Sequence, residues 1–394
     1  MSSVMLHHLW LHLLTALRPV LLVICASATG FYLYAVYAAR DFLLRRPQCL
    51  DRETQPPISI LKPLRGLDRD ALANFASFCL LDYEKWEILF GAEDETEPSL
   101  EAARQAARDH PEVDIRILVG KVAAGANPKV RMLAKLAREA KYSLLLTSDS
   151  DIRAGRSHLK RMVQPLRDPE VGVVTCLYRT EAVGLIGKLD ALSLSTEFLP
   201  GALVARRLEG MSFAMGAGIL IRREVLDEIG GFLALEDYLA DDYLLGKLPA
   251  KAGHRVELAH DVVDHHLGTR NLRDLRARQN RWNLGIRTSR PWSYAGLVFT
   301  QGTAAALLFL LATRGSPLGW FAAGATLAVR LGVAWLLAAR CLKDRTIGRF
   351  LWLVPIRDLL GTALWLAAFF GSTVEWRGRR FRIGSDGRIL DPAS

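Results

Sequence analysis

The chain has 394 residues, of which 51% are hydrophobic, with a mean hydropathy of +0.15, a formal net charge of +10 and five cysteines. So apolar a composition is high for a soluble enzyme and suggests membrane-embedded segments around a large folded unit. The positive charge suits phosphates or anionic head groups, but no basic run is interleaved with aromatics, so nucleic acid is not an expected partner. Cys25, Cys49, Cys79, Cys176 and Cys341 are odd in number, widely spaced and without a CxxC pair, which predicts neither a disulfide framework nor a structural zinc site.

In chain order, residues 19–39 (PVLLVICASATGFYLYAVYAA) carry no charge and are long enough to span a bilayer. The run ends in tyrosines and RDFLLRR rather than at a small-residue cleavage site, so a retained anchor is expected over residues 1–46. Arg40, Arg45 and Arg46 then put the next domain, 47–290, in the cytoplasm.

Within that domain PISILKPL (57–64), WEILFGA (86–92), DIRILVG (114–120) and YSLLLTSD (142–149) read as strands. Helical patterns fill 68–81, 98–110 and 128–140 between them. This alternation predicts a parallel sheet with helices on both faces, its ligands at the carboxyl ends of the strands. Two acidic turns fall at such ends, Glu93–Asp94 and the Asp149–Asp151 pair of LLLTSDSDIRAG. Like charges ending a buried strand repel. They read either as a solvated turn or as a divalent-cation site, where the ion offsets the repulsion. Neither GxGxxG nor GxxxxGK[ST] occurs, so dinucleotide and P-loop chemistry are not expected.

Residues 184–207 are apolar with basic ends, which suits either a helix lying on the membrane or a core helix. Gly216 and Gly218 permit close approach of a ligand, or simply a tight turn. In LEDYLADDYLLGK (235–247) a helix would put Asp237 and Asp241 on one face with Asp242 beside them. In RARQNRWNLGIR (276–287), Arg278, Arg281 and Trp282 lie within about one turn of helix, placed for lipid phosphates or for a diphosphate.

Apolar segments return at 294–312, 318–340 and 350–370, giving membrane helices over 291–375 and a basic tail over 376–394. Lys343 and Arg345 make the junction after the second segment cytoplasmic. A full crossing by the third would then leave WRGRRFR (376–382) outside, against the charge rule. Pro355, Arg357 and Asp358 interrupt that segment, so a re-entrant or interfacial helix is expected, its charges facing a lipid head group or forming an ion pair between helices.

The ordered set Asp94, Asp149–Asp151, Ala240–Asp242 and Arg278–Trp282 resembles the processive-type inverting glycosyltransferases of the GT-A fold. ISILKPLRGLD (58–68), GANPKVRML (125–133), DSDIR (149–153), LADDYLLGK (239–247) and WRGRRFRI (376–383) resemble the ceramide glucosyltransferase family, over about residues 15–385. A bacterial sister group that glycosylates hopanoid lipids is similar across the same motifs. The resemblance implies a GT-A Rossmann-like domain with a UDP-sugar donor, Mg²⁺ or Mn²⁺ as cofactor, and a membrane lipid as acceptor. It implies that Asp94 contacts uridine, Asp149 the ribose or metal, Asp151 the metal, and Asp242 serves as general base, with Asp241 or Asp237 in its place if Asp242 faces solvent. Arg278, Arg281 and Trp282 would meet the diphosphate, and Lys62 and Lys129 would line the donor pocket. Some animal members have glycine where Asp151 stands, so metal binding is easier to argue here. A polysaccharide synthase would need more spans to form a channel, and a non-catalytic basic membrane adaptor would leave the ordered motifs without a purpose.

Overall fold

The computed structural model describes residues 3–44, 55–122, 126–269, 271–344, 346–376 and 379–392. Arg45, Arg46, Cys49, Arg345 and the expected boundary at 46/47 lie outside them. The chain opens with one long helix, α1 (Ser3–Leu44). Strands β1 (Ile58–Pro63), β2 (Trp86–Ala92), β3 (Asp114–Val119) and β4 (Leu144–Thr147) then alternate with α2 (Ala71–Cys79), α3 (Leu100–Asp109) and α4 (Pro128–Glu139), as expected. These strands pair in parallel in the order β3-β2-β1-β4. Ile58, Ile60 and Phe90 pack under Phe75 and Phe78 of α2, while Leu61, Leu89 and Leu145 pack under Val130 and Leu133 of α4. Burial on both faces explains why the strands read as nearly continuous apolar runs.

The second half departs from the parallel expectation. It comprises β5 (Ile152–Arg153), α5 (His158–Val163), β6 (Val171–Ala182), α6 (Gly184–Ser193), α7 (Leu199–Glu209), β7 (Ile219–Arg222), α8 (Arg223–Glu228), α9 (Asp241–Lys251), β8 (Arg255–Leu267) and α10 (Leu272–Ser289). The eight-stranded sheet continues β4-β7-β6-β8-β5, with β7 antiparallel to both β4 and β6, and β5 antiparallel to β8. The sheet is therefore mixed. Apolar runs specify burial and not strand direction.

Residues 184–207 form one continuous helical run with a π-turn inside it. The π-turn, Leu194–Phe198, joins α6 to α7. Leu199, Leu203 and Val204 pack inward against Tyr32, Ala35 and Ala39 of α1, so this stretch is a layer between the sheet and the apolar helices.

Those helices are α11 (Pro291–Gly296), α12 (Gly302–Ala312), α13 (Pro317–Arg340), α14 (Ile347–Phe350) and α15 (Val354–Ala367), followed by a small antiparallel sheet of β9 (Thr373–Trp376), β10 (Arg379–Ile383) and β11 (Ile389–Pro392). Among the described residues, three stretches are long and apolar enough to cross a membrane, Ala16–Arg40, Pro317–Arg340 and Ile347–Ala367, and the pair 291–300 and 302–312, bent by 49°, would make a fourth. Leu21 and Cys25 of α1 meet Ala305, Ala306 and Phe309 of α12 and Ala322 of α13. At the other end, Ala35 and Ala39 of α1 meet Val333 and Leu337 of α13. Small residues allow this close packing. A Cβ on Gly302 would lie 2.7 Å from that of Ala28.

By contrast, α15 touches the sheet-bearing domain at both ends. Val354 packs with Leu189 and Leu192 of α6 and Leu275 of α10. At the far end the Arg287 guanidinium of α10 donates to the carbonyls of Phe369 and Gly371, both at 2.8 Å. Its two interrupting charges form ion pairs between helices: Asp358 with Arg330 of α13 at 2.6 Å, and Arg357 with Glu197 of the π-turn at 3.0 Å. The basic tail is also structured. Val374, Phe381 and Ile389 pack against Leu239 and against Leu284 of α10. The Leu239 N–H donates to the Gly387 carbonyl at 3.2 Å and the Ile389 N–H to that of Asp237 at 2.7 Å. Among the described residues, Cys25, Cys79, Cys176 and Cys341 are buried free thiols.

Candidate active site

A cavity of about 850 Å³ opens at the carboxyl ends of β1, β2 and β4. Asp94, Lys129, Asp149, Asp151, Asp241, Asp242, Arg278, Arg281 and Trp282 all line it.

The acidic turn is fixed from below. Lys62 on β1 is fully buried and does not line the cavity, so its expected place in the donor pocket is corrected. Its ammonium donates to the Asp149 carbonyl at 2.8 Å and the Ser148 hydroxyl at 3.3 Å, and sits 3.9 Å from the Phe78 ring centre. Burial pulls its pKa down to about 7, although Asp149 and Asp151 oppose that shift. The His266 N–H, donating to the Asp151 carbonyl at 2.9 Å, holds the other end of the turn to β8.

The carboxylates themselves face different partners. Asp149 pairs with Lys129 at 2.8 Å, and the same ammonium reaches Asp241 at 3.3 Å. Burial disfavours the Lys129 charge, but Asp149 and Asp241 outweigh it and hold the pKa well above the ordinary lysine value. Lys129 is presented by the first turn of α4, where Pro128 starts the helix and the Asn127 side chain accepts from the Val130 N–H at 3.3 Å. Asp151 meets His265 Nε2 at 3.2 Å through one oxygen. Its other oxygen, Oδ1, is buried with no hydrogen-bond partner. Burial opposes the Asp151 charge, yet His265, Arg278 and Lys62 together hold its carboxyl far below the usual range.

Asp241 and Asp242 open α9, so the helix dipole favours both charges. Asp237 lies before the helix, exposed and absent from the cavity lining, which removes it from the expected helical face. Burial, and then the neighbouring Asp241, push the Asp242 carboxyl up to about 6. Gly216 forms the floor between the two acidic groups. A Cβ there would lie 3.2 Å from Asp242 Oδ2 and 3.5 Å from Asp149 Oδ2.

Across the cavity, the Arg278 guanidinium stacks 4.4 Å from the centre of the Trp282 ring. Its Nε and Nη2 are buried without a hydrogen-bond partner. Asp94 stands at the exposed rim, where the Thr96 hydroxyl and backbone N–H hold its carboxyl below the usual range. Residues not expected from the sequence complete the surroundings: His265 against Asp151, and Asp190 of α6, whose Oδ2 is 3.8 Å from Arg278 Nε. The only available signals were the His265–His266 pair and one aspartate inside the apolar run GLIGKLDALS.

The chain matches the family described as Glycosyl transferase family 21 over residues 20–389. It is similar to ceramide glucosyltransferase 1 of Caenorhabditis elegans, 24% identical over 347 residues that cover 85% of this chain and 73% of the relative. A ceramide glucosyltransferase of Komagataella phaffii is 34% identical over 113 residues, 28% of this chain and 22% of the relative. Among solved structures, the mannosyltransferase PcManGT from Pyrobaculum calidifontis, in complex with GDP-Man and Mn²⁺, superposes with a TM-score of 0.54 at 20% identity, covering 91% of this chain and 98% of that one. That likeness shows a GT-A-like fold.

Proposed function

The chain belongs to glycosyl transferase family 21, and from that premise we propose that it is a membrane-bound inverting enzyme that moves glucose from a UDP-sugar to the hydroxyl of a membrane lipid, a reading supported for sugar and acceptor by relatives named ceramide glucosyltransferase. The observation that carries this reading is the opposition inside one cavity of a carboxylate group around Gly216 and the buried, unpartnered N–H donors of Arg278.

In this reading a divalent cation, Mg²⁺ or Mn²⁺, belongs at Asp149 and Asp151. Among the described residues no three His, Cys, Asp or Glu side chains converge tightly enough to hold a metal alone. Hard cations of this kind are held by one or two carboxylates together with substrate phosphates and water. The orphaned, buried Asp151 Oδ1 and the all-oxygen donors fit that pattern. Such an ion stabilises negative charge on a leaving diphosphate.

The protein's own groups do the rest. Arg278, stacked on Trp282 in the cavity wall, meets the diphosphate, with Arg281 beside it, and guanidinium geometry suits bidentate phosphate contact. Asp94 at the rim meets the uridine. Lys129 screens the repulsion between Asp149 and Asp241. Asp242 takes the proton from the acceptor hydroxyl as it attacks the face opposite the leaving group, which gives inversion in one displacement. Its raised pKa improves it as a base.

The cavity also reaches Phe198 and Gly201 beside the π-turn and Ile286 of α10, next to the apolar helices, which supports a lipid acceptor. We read α1, the bent α11–α12 pair and α13 as crossings. α15 lies in the interface on the cytoplasmic side with the catalytic unit, because both its ends meet that unit and its Arg357 and Asp358 are paired.

The test is transfer from radiolabelled UDP-sugars by the purified full chain in lipid nanodiscs, offered ceramide and hopanoid acceptors. Labelled glucosylceramide is expected, and Asp242→Asn is expected to lose transfer while still binding UDP. Transfer at the wild-type rate by Asp242→Asn would overturn the base assignment. Transfer only to hopanoids would overturn the ceramide acceptor, and no transfer to any acceptor would favour the adaptor reading.

A further inference from the structure

We propose that Arg357, on the apolar helix α15, is a positioning residue for Arg278, acting through Gln279 and Asp190. The inference rests on the reading of Arg278 as a diphosphate clamp. Arg357 Nη2 donates to Gln279 Oε1 at 3.0 Å and to Glu197 Oε2 at 3.0 Å. Gln279 Nε2 donates to Asp190 Oδ1 at 2.7 Å and to the Ser193 hydroxyl at 2.9 Å. The Thr269 hydroxyl donates to Asp190 Oδ2 at 2.6 Å, and that oxygen lies 3.8 Å from Arg278 Nε. Arg357, Gln279 and Asp190 are 1%, 5% and 0% exposed, so water does not compete for these bonds.

The geometry does something a simple salt bridge would not. Asp190 has its oxygens occupied by Thr269 and Gln279, and at 3.8 Å it attracts the Arg278 guanidinium without taking its N–H donors. Nε and Nη2 of Arg278 are buried and make no hydrogen bond, in a residue that lines the cavity. Gln279 orients Asp190, and Gln279 is itself oriented by Arg357, because the N–H that Arg357 donates to the amide oxygen fixes which end of the amide donates to Asp190. Arg357 does not touch the cavity. Its helix is the one that lies along α6 and α10, so seating α15 on the catalytic unit sets the phosphate clamp.

The test uses the full chain in nanodiscs, with UDP and Mn²⁺ as the binding probe, and separate KM values for donor and acceptor. Arg357→Lys keeps the charge beside Glu197 but is too short and single-pronged to serve Gln279 as well. It and Gln279→Leu are each expected to weaken UDP binding and raise the donor KM about tenfold, leaving the acceptor KM within about twofold. A gentler variant is Gly361→Ala, whose Cβ would come 2.8 Å from Arg357 Nη1 and displace it, with the same direction of effect if Arg357→Lys fails to fold. In an Arg278→Ala background neither substitution should weaken UDP further. An equal further loss in that background, or no loss in the wild-type background, would overturn the positioning role alone. If Arg278→Ala itself leaves UDP binding unchanged, the clamp reading fails and this inference with it.

Discussion

The Asp242 carboxyl is raised to about 6 by burial and by Asp241, and a base works only when ionised. Turnover is therefore expected to fall as pH drops through about 6 and to level off above it, read from a kcat–pH profile at saturating donor. Asp242→Asn should lower kcat by roughly 10²–10⁴-fold. Gly216→Ala should slow turnover with the melting temperature little changed, because its methyl would crowd Asp242 and Asp149 from the floor. An unaltered rate in that variant would show that the two carboxylates need no free space between them. The proposed contact residues were legible because each motif is local: spacing alone brings Asp149 to Asp151, and Arg278 to Trp282. Asp190, Gln279 and His265 were not. What makes a buried polar group matter is its partner, and Gln279 finds Asp190 from 89 residues away. Lys62 shows the converse, since its motif was found but the pleat turned its side chain into the core.

Among the elements, the first four strands follow from their apolar runs and the punctuation between them. The direction of β7 does not, because an apolar strand buried on both faces reads alike in either sense. The start of α9 was also hidden, although its position makes Asp242 a first-turn residue instead of a mid-helix one. That helix leans on its neighbour through Gly246, where a Cβ would fall 2.3 Å from the Phe213 carbonyl carbon and 2.4 Å from the Ala214 nitrogen. Backbone cannot yield as a side-chain tip does. Gly246→Ala should cost roughly 1–3 kcal/mol or more, measured as a drop in thermal unfolding temperature of the full chain, with lost activity following lost fold. An unchanged melting temperature would show that α9 can shift freely. Of the two roles the sequence left open for Arg357 and Asp358, a lipid head group or an ion pair between helices, the ion pair is the one found, with Glu197 and Arg330.

At the scale of the molecule, three layers follow one another: the mixed sheet, the α6–α7–α10 layer, and the bundle of α1, α12 and α13. Because β9–β11 returns to the catalytic unit, the chain between α10 and β9 must cross the bilayer an even number of times in the proposed arrangement. The exposed Trp320 and Phe321 at the start of α13, and the exposed Trp292, Trp352 and Phe370 beside the catalytic unit, suit the two aromatic belts of such a protein. With a membrane-impermeant thiol reagent on intact cells, Arg314→Cys in the α12–α13 turn should be labelled and Ser385→Cys in the β10–β11 turn should not. The opposite pattern would reverse the orientation, and labelling of both would break the even count. The tail sheet carries a consequence for biosynthesis. Arg388 bridges to Tyr238, 150 residues earlier, in the loop that leads into Asp241 and Asp242. A ribosome making this chain finishes the sheet long before the strands that brace that loop, so the nascent enzyme stays unassembled at its acidic edge until β10 and β11 have emerged behind the apolar helices.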